Sequence, residues 1–264
     1  KERYHVHYFP LHIILNGKDY MDNVDITPEE VYQEYYDHKV LPKTSAVNVE
    51  EYIEHFRPWV EAGWEGIHIN LGHALSSSYQ NCCIAASELG HVHVVDSCSL
   101  STGTGLLVVA AGKMIAEGLD AETIAEKLRK RASNIHASFV LDTLTFLHAG
   151  GRCSSLAALG ANMLKLKPCI EVNNHDGSMG VGKKYRGSLD KVLVKYVKDQ
   201  LSKYADIDTD LLFITHSGIS QEYIDAVKKT VDETMKFKEI HITKASCTIS
   251  CHCGPNTQDR KSTR

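Results

Sequence analysis

Short apolar runs alternate along the chain with longer segments in which apolar residues recur every three or four positions. Residues 66–71 and 91–96 are two such runs, and each is followed by a small polar loop and then by a helical segment. A repeated order of strand, loop and helix is typical of a parallel sheet whose connections cross its faces. The pattern therefore predicts an α/β fold, with a mainly parallel sheet and helices on both faces in the N-terminal part.

Local end signals place the elements that precede these two runs. A strand over residues 11–15 is followed by an Asn-Gly pair, which is typical of a tight hairpin turn. Thr27 is followed by a proline and then by a glutamate at its third position, so it is expected to cap a helix. A second helix is expected over residues 49–62, with Asn48 or Ser45 as its cap.

The segment 140–168 contains an expected helix that is rich in small residues. Lys167 and Pro168 are expected to end this helix, because the residue before a proline avoids the helical region. Small residues on an apolar helix face either let two elements pack closely or leave room for an apolar ligand. Arg152 precedes this helix, so it is either a solvated surface charge or an anion contact at the helix start. The apolar face consists of Leu156, Leu159, Met163 and Leu166.

The second half of the chain has a more mixed pattern of elements. Strands over residues 169–172 and 179–185 are separated only by a turn, and helices and strands then alternate to residue 243. This order predicts a mixed sheet. We therefore expect a first α/β domain over residues 1–134 and a second over residues 135–264, with the last residues either in the second domain or returned to the first.

Composition excludes several classes of function. The formal net charge is −4 over 264 residues, which gives no basic surface for nucleic acid. No apolar run approaches the roughly 20 residues of a membrane span. Eight cysteines and 15 histidines are present, but the cysteines lack the spacing of a zinc site and no carboxylate is placed beside the alternating histidines. We therefore expect neither a metal site nor a transmembrane segment.

Familiar catalytic and nucleotide-binding motifs are absent from the sequence. There is no G-x-S-x-G elbow, no phosphate-binding G-x-x-x-x-G-K-[ST] loop and no G-x-G-x-x-G after a strand. The polar residues at predicted loop ends are mostly hydroxyls, with His252 near the end of the chain. Hydroxyls and an imidazole can bind a carboxylate. Alternatively, Ser76 or Ser97 with His252 could form a serine-dependent acyl hydrolase or acyltransferase, provided that a base is oriented against the serine.

Seven short motifs occur in an order that resembles the DegV family of bacterial fatty-acid-binding proteins. The resemblance covers nearly the whole chain, and it depends on the order of the motifs because each is weak alone. The motifs are residues 43–45 (KTS), 75–80 (LSSSYQ), 95–97 (VDS), 142–152 (DTL to GGR), 167–168 (KP), 184–187 (KYRG) and 252–255 (HCGP).

The resemblance implies both a fold and a role. It implies two α/β domains with a long-chain fatty acid, such as palmitate, stearate or oleate, buried between them. It also implies a cytoplasmic carrier that is not an enzyme by itself and needs no cofactor. Its partner would be the catalytic subunit of a fatty acid kinase, which phosphorylates the bound carboxylate so that the acyl phosphate enters phospholipid synthesis.

The same resemblance assigns site residues. Thr44 and Ser76 resemble the hydroxyls that bind the carboxylate. Arg152 and His252 look like the polar residues at the mouth of the site. Secondary candidates are the hydroxyls beside the first pair, Ser45 and Ser77.

The chain also departs from the family pattern. It begins after the family's usual first strand and its Asp-Ser-Thr loop, and residues 256–264 are polar where the family has a last apolar strand. We therefore expect the chain to be incomplete at both ends. His73 stands where the family often has serine, and Ser77 where it usually has glycine.

Overall fold

The structure is a computed structural model that describes residue 4, residues 6–155 and residues 166–263. The strands among these residues are His12–Leu15 (β1), Lys18–Met21 (β2), Lys43–Ser45 (β3), Gly66–Asn70 (β4), Val92–Asp96 (β5), Ile135–Val140 (β6), Leu166–Val172 (β7), Met179–Arg186 (β8), Leu211–His216 (β9), Glu239–Lys244 (β10) and Gln258–Thr263 (β11). The helices are Pro28–His38 (α1), Val49–Glu61 (α2), Ser78–Leu89 (α3), Thr102–Ala116 (α4), Ala121–Ala132 (α5), Thr145–Gly150 (α6), Leu189–Ser202 (α7), Gln221–Thr234 (α8) and Cys247–Cys253 (α9).

Three sheets organise these elements. β4 and β5 form a parallel pair, and β2, β1 and β3 form a small antiparallel sheet in that order. The largest sheet has the order β10-β9-β11-β6-β7-β8; only its β10–β9 pair is parallel. The predicted α/β class with a mixed second sheet is therefore confirmed, while the described parallel sheet of the N-terminal part has only two strands.

Several predicted elements are confirmed by their end contacts. Thr27 and Glu30 form a reciprocal capping box at the start of α1, and Asn48 with Glu51 does the same for α2. The caps satisfy amide groups that have no partner within the first turn of a helix. Asn16 has φ 52° at the turn between β1 and β2, a conformation that asparagine adopts more readily than most residues.

The predicted helix after Arg152 falls mainly on residues 156–165, which lie outside the described residues. Its predicted end is wrong, because Leu166, Lys167 and Pro168 belong to strand β7. Leu166 pairs with Arg186 of β8, so ladder hydrogen bonds outweigh the helical spacing of the leucines. The register shifts just after Pro168, which fits the lack of an amide hydrogen in proline.

Strand β11 is an element that the apolar pattern did not reveal, as are the short strand β3 and the helix α9. The sequence of β11 is polar, yet it lies between β6 and β9 in the middle of the largest sheet. Lys261 and Asp259 are buried there and form an ion pair of 3.0 Å. The Lys261 ammonium also donates to the Leu100 carbonyl at 2.8 Å. The backbone ladder and this buried pair together compensate for the missing apolar side chains.

The division at residues 134 and 135 stays a prediction. One hydrophobic cluster contains Val95 and Leu107 from before that boundary and Ile135 and Phe213 from after it. No helix in the described ranges combines the length and the hydropathy that crossing a bilayer would require. All eight cysteines lie in the described part of the chain, and all are free thiols.

Candidate functional site

A cleft opens where β3, α9 and the loop between β4 and α3 meet. Its empty space is about 590 Å³ when it is counted across the open mouth. The cleft is lined by Leu11, Thr44, Ser45, Ala46, Leu71, Leu75, Ser76, Leu100, Phe139, Leu147, Arg152, Met179, Thr248, Ile249, His252 and Cys253.

The floor of the cleft is apolar. Leu75, Leu100, Phe139, Leu147 and Met179 belong to one buried hydrophobic cluster and also line the cleft. These side chains come from loops, strands and helices on both sides of residue 135, so the floor forms only when the chain is folded. A floor of leucine, phenylalanine and methionine side chains suits an apolar ligand, because a polar ligand group placed against it would lose its hydrogen bonds to water.

Thr44 and His252 form the central polar contact. The Thr44 hydroxyl lies 2.9 Å from His252 Nε2, although the two residues are 208 positions apart. Thr44 is held in β3 opposite Ile13 of β1, and His252 lies on α9. The contact joins the small antiparallel sheet to the C-terminal region at the cleft.

The second nitrogen of His252, Nδ1, is buried and has no hydrogen-bond partner within the described part of the chain. Burial, with the charge of Arg152 as a second cause, lowers the pKa of His252 to about 4. The imidazole is therefore neutral near pH 7. Gly150 permits this placement, because a Cβ atom on Gly150 would lie only 2.2 Å from Nδ1.

Ser76 lies two residues before α3 begins at Ser78. Its hydroxyl is 2.9 Å from the Ser78 hydroxyl and accepts a hydrogen bond from the Ser78 amide at 3.2 Å. The Ser78 hydroxyl in turn accepts from the Val47 amide. This chain of contacts fixes Ser76 at the positive end of α3, where a negative group is stabilised.

Arg152 follows Gly151, which ends α6 with φ 66°. Arg152 Nη1 donates to the Gly150 carbonyl at 2.7 Å, and Nε donates to the Leu75 carbonyl at 3.3 Å. The residue is exposed, so its guanidinium group lies at the mouth and not on the floor. Arg152 is the charged residue among the described residues that line the cleft, and no carboxylate is among them.

The structure thus brings Thr44, Ser76, Arg152 and His252 together in one cleft. Ser45 also lines it, whereas the exposed Ser77 does not. Thr248 also lines the cleft, but the sequence did not predict it as a site residue. It lies one helical turn before His252 on α9. Its hydroxyl is buried without a partner among the described residues. The spacing of four residues was the signal that could have identified it.

The described contacts of Ser76, Ser97 and His252 differ from those of a serine hydrolase. His252 Nε2 contacts Thr44, and no carboxylate contacts Nδ1 in the described ranges. Ser97 is buried away from the cleft, where its hydroxyl donates to the Ser99 carbonyl and contacts Thr104. Among the residues that the structure describes, neither serine therefore has an oriented base beside it, as serine-dependent acyl transfer requires.

Comparisons with known sequences identify related proteins over almost the whole chain. A family model described as "uncharacterised protein, DegV family" matches residues 1–258. A DegV domain-containing protein of Caldanaerobacter subterraneus is 28% identical over 257 residues, which cover 96% of this chain and 89% of that protein. A DegV domain-containing protein of Staphylococcus aureus is 29% identical over 256 residues, with coverage of 96% and 89%.

Two solved structures share the fold. One describes fatty acid binding of a DegV family protein from Thermus thermophilus; its TM-score is 0.87 at 25% identity, and the match covers 99% of this chain and 93% of that one. The other is a stearic-acid-binding protein from Eubacterium ventriosum. Its TM-score is 0.84 at 27% identity, and the match covers 100% of this chain and 92% of that one.

Proposed function

The chain belongs to the DegV family, and from this premise we propose that it binds a long-chain fatty acid in the cleft as a carrier and not as an enzyme. The observation that carries the proposal is the division of the cleft into an apolar floor and a polar mouth, with no carboxylate among the described residues that line it. This arrangement is complementary to an apolar tail that ends in a single negative charge. The similar structures from Thermus thermophilus and Eubacterium ventriosum, described as fatty-acid-binding, support the same ligand class.

The tail supplies most of the binding free energy in this proposal. Each buried methylene group contributes about 0.8 kcal/mol, so a sixteen-carbon tail gains on the order of 10 kcal/mol before the costs of association. Leu100, Phe139 and Met179 are the floor side chains that would contact it. Palmitate, stearate and oleate are the candidates to test.

The carboxylate is expected at Thr44 and Ser76, with Arg152 at the solvent side. A buried carboxylate is costly unless donors pair with it, and hydroxyl and guanidinium groups are donors. A bound carboxylate would also oppose the effect of Arg152 on His252, because a nearby negative charge favours the imidazolium form. Because Arg152 is exposed at the mouth, the head group would remain near the surface while the tail is enclosed.

We propose further that the exposed head group serves a separate enzyme. A fatty acid kinase could phosphorylate the carboxylate at the mouth without removing the tail from the cleft, and the acyl phosphate would enter phospholipid synthesis. The family resemblance and the exposed position of Arg152 support this step. The exchange would occur in the cytoplasm, where ATP is available to the kinase.

The first test is mass spectrometry of the purified full chain, under native conditions and after organic extraction. We expect one long-chain fatty acid per chain, or its uptake when the protein is incubated with palmitate, stearate or oleate. A protein that stays without ligand in all three incubations would contradict the carrier proposal. Hydrolysis of a panel of acyl esters that Ser76→Ala abolishes would favour the enzyme instead.

A further inference from the structure

A second group of polar side chains lies beside the cleft, at the carboxyl ends of the parallel pair β4 and β5. Asn70 and Asp96 are opposite each other in the register of this pair, so the loops that follow both strands run side by side. The Gly72 amide donates to the Ser99 carbonyl at 2.8 Å and locks the two loops together. This contact places His73 of one loop next to the other.

Three side chains at these strand ends can converge on one point. One nitrogen of His73, a carboxylate oxygen of Asp96 and the sulfur of Cys98 all lie within 4.8 Å of one another. His73 Nδ1 is 2.5 Å from Asp96 Oδ2, and the Cys98 amide donates to Asp96 Oδ1 at 2.9 Å. The second contact fixes the carboxylate, which leaves Oδ2 facing the imidazole.

We propose that His73, Asp96 and Cys98 bind a divalent transition metal ion of the zinc class. Imidazole, thiolate and carboxylate are the zinc ligands of proteins, and the thiolate disfavours Mg²⁺ and Ca²⁺. Metal–ligand distances of about 2.0–2.3 Å place tetrahedral ligand atoms roughly 3.3–3.8 Å apart. The observed spacing therefore needs a contraction of only about 1 Å. A fourth position remains for water, because the side chain of His73 is half exposed.

The turn between β7 and β8 forms one wall of this site. The Cys98 thiol contacts the His175 carbonyl at 3.5 Å, and Gly177 packs so closely on Gly72 that a Cβ atom on Gly177 would lie 3.1 Å from the Gly72 Cα.

The Cys98 thiol must lose its proton when it binds a metal ion. Burial first, and the negative charge of Asp96 second, raise the pKa of the free Cys98 thiol to about 11. A bound cation must displace the thiol proton into solvent, since a metal-bound cysteine is a thiolate.

A bound ion would also stiffen the cleft. The loop that carries His73 continues to Leu75 and Ser76, and the loop that carries Cys98 continues to Leu100, all three of which line the cleft. The ion would tie both loops through side chains in addition to the backbone hydrogen bond of Gly72. We therefore expect metal binding to raise the melting temperature of the full chain.

The test uses the full chain, dialysed against a chelator and then titrated with Co²⁺ alone. We expect one equivalent of Co²⁺ to produce the near-ultraviolet charge-transfer band of a thiolate ligand, and Zn²⁺ to abolish the band by displacement. Cys98→Ser should remove the band. His73→Gln, at a half-exposed position that the fold tolerates, should keep the band but weaken Co²⁺ binding at least tenfold.

Cys83→Ser is the matched control, because Cys83 is a half-buried thiol outside the proposed site. It should leave both the band and the affinity unchanged. The proposal is overturned if no band appears at excess Co²⁺, if the band survives in Cys98→Ser, or if His73→Gln binds as tightly as the wild type. Far-ultraviolet circular dichroism of each metal-free variant verifies that it is folded.

Discussion

At the scale of single residues, the polar mouth of the cleft depends on hydroxyls whose neighbours look equivalent in sequence. Ser76 and Ser77 are adjacent serines, but only Ser76 lines the cleft. Ser76 is held by Ser78, whereas the Ser77 side chain makes no capping hydrogen bond to α3. The two residues therefore provide a test variant and its matched control.

Ser76→Ala should weaken binding of palmitate. A hydrogen bond to a charged group contributes about 1.5–3 kcal/mol, so the dissociation constant should rise by about tenfold or more. Isothermal titration calorimetry of the full chain measures the change, with Ser77→Ala as the control that should bind like the wild type. Equal loss in both variants would show that the serine loop acts through its backbone and not through the Ser76 hydroxyl.

His252 gives the cleft a predictable response to pH. Its pKa is lowered from 6.5 to about 4 by burial first and by Arg152 second, so the unfolded chain takes up the proton before the folded one. Neutral His252 therefore leaves the folded protein at its full stability above about pH 6.5. The protein loses stability as the pH falls from there toward 4, because protonation favours the unfolded chain. Across this range, the free energy of unfolding of the wild type should fall by on the order of 2 kcal/mol more than that of His252→Gln, which has no imidazole to protonate at this position.

Urea denaturation at a series of pH values measures this difference for the ligand-free protein. The comparison with the variant matters because burial also lowers the pKa of His68 to about 4, and His68 titrates in both proteins. A difference that does not change between pH 7 and pH 4 would mean that the folded protein leaves His252 as easily protonated as the unfolded chain does.

At the scale of elements, β11 shows how a polar segment can be a central strand. Its register pairs it with both β6 and β9, so its backbone groups are bonded on both sides. Asp259 and Lys261 are buried beside each other, and burial raises the pKa of Asp259 while Lys261 opposes that rise. Removing one partner would therefore leave the other group buried without a compensating charge.

Lys261→Ala should destabilise the protein by about 3 kcal/mol, because it leaves the Asp259 carboxyl group buried without its partner. The double variant Lys261→Met with Asp259→Leu should recover most of this loss, since it removes both buried charges. Urea unfolding followed by circular dichroism gives both values. If Lys261→Ala costs no more than the double variant, the ion pair does not support β11.

At the scale of the whole molecule, the cleft exists because separate parts of the chain meet around it. Thr44 comes from β3, Ser76 from the loop after β4, and His252 from α9. A ligand that binds there contacts all of these parts in the folded protein and none of them together in the unfolded chain. Ligand binding should therefore raise the free energy of unfolding of the whole chain.

Palmitate at a hundred times its dissociation constant should raise the free energy of unfolding by about 2.7 kcal/mol. Methyl palmitate at the same concentration should raise it less, because the ester lacks the charge that Thr44, Ser76 and Arg152 are proposed to recognise. Thermal unfolding of the full chain with each compound measures the difference. Equal shifts would indicate that the cleft recognises the tail alone.

The sequence by itself determined the local elements of this protein. The capped helices α1 and α2 and the strand β9 follow from nearest-neighbour rules, because caps and apolar periodicity act within a few residues. The ordered motifs also placed Thr44, Ser76, Arg152 and His252 in one expected site. The local elements needed no knowledge of which distant segments would meet, whereas the shared site was implied by the resemblance to the DegV family and not by a local rule.

The tertiary structure decided what depends on contacts between distant segments. Sheet pairing made β11 a buried strand despite its polar sequence, and it placed Leu166 in β7 instead of a helix. Folding also created the contact between Thr44 and His252 across 208 positions and brought His73, Asp96 and Cys98 together at the ends of two neighbouring strands. No local rule predicts such pairs, because their free energy comes from packing and hydrogen bonds that form only when the sheets assemble.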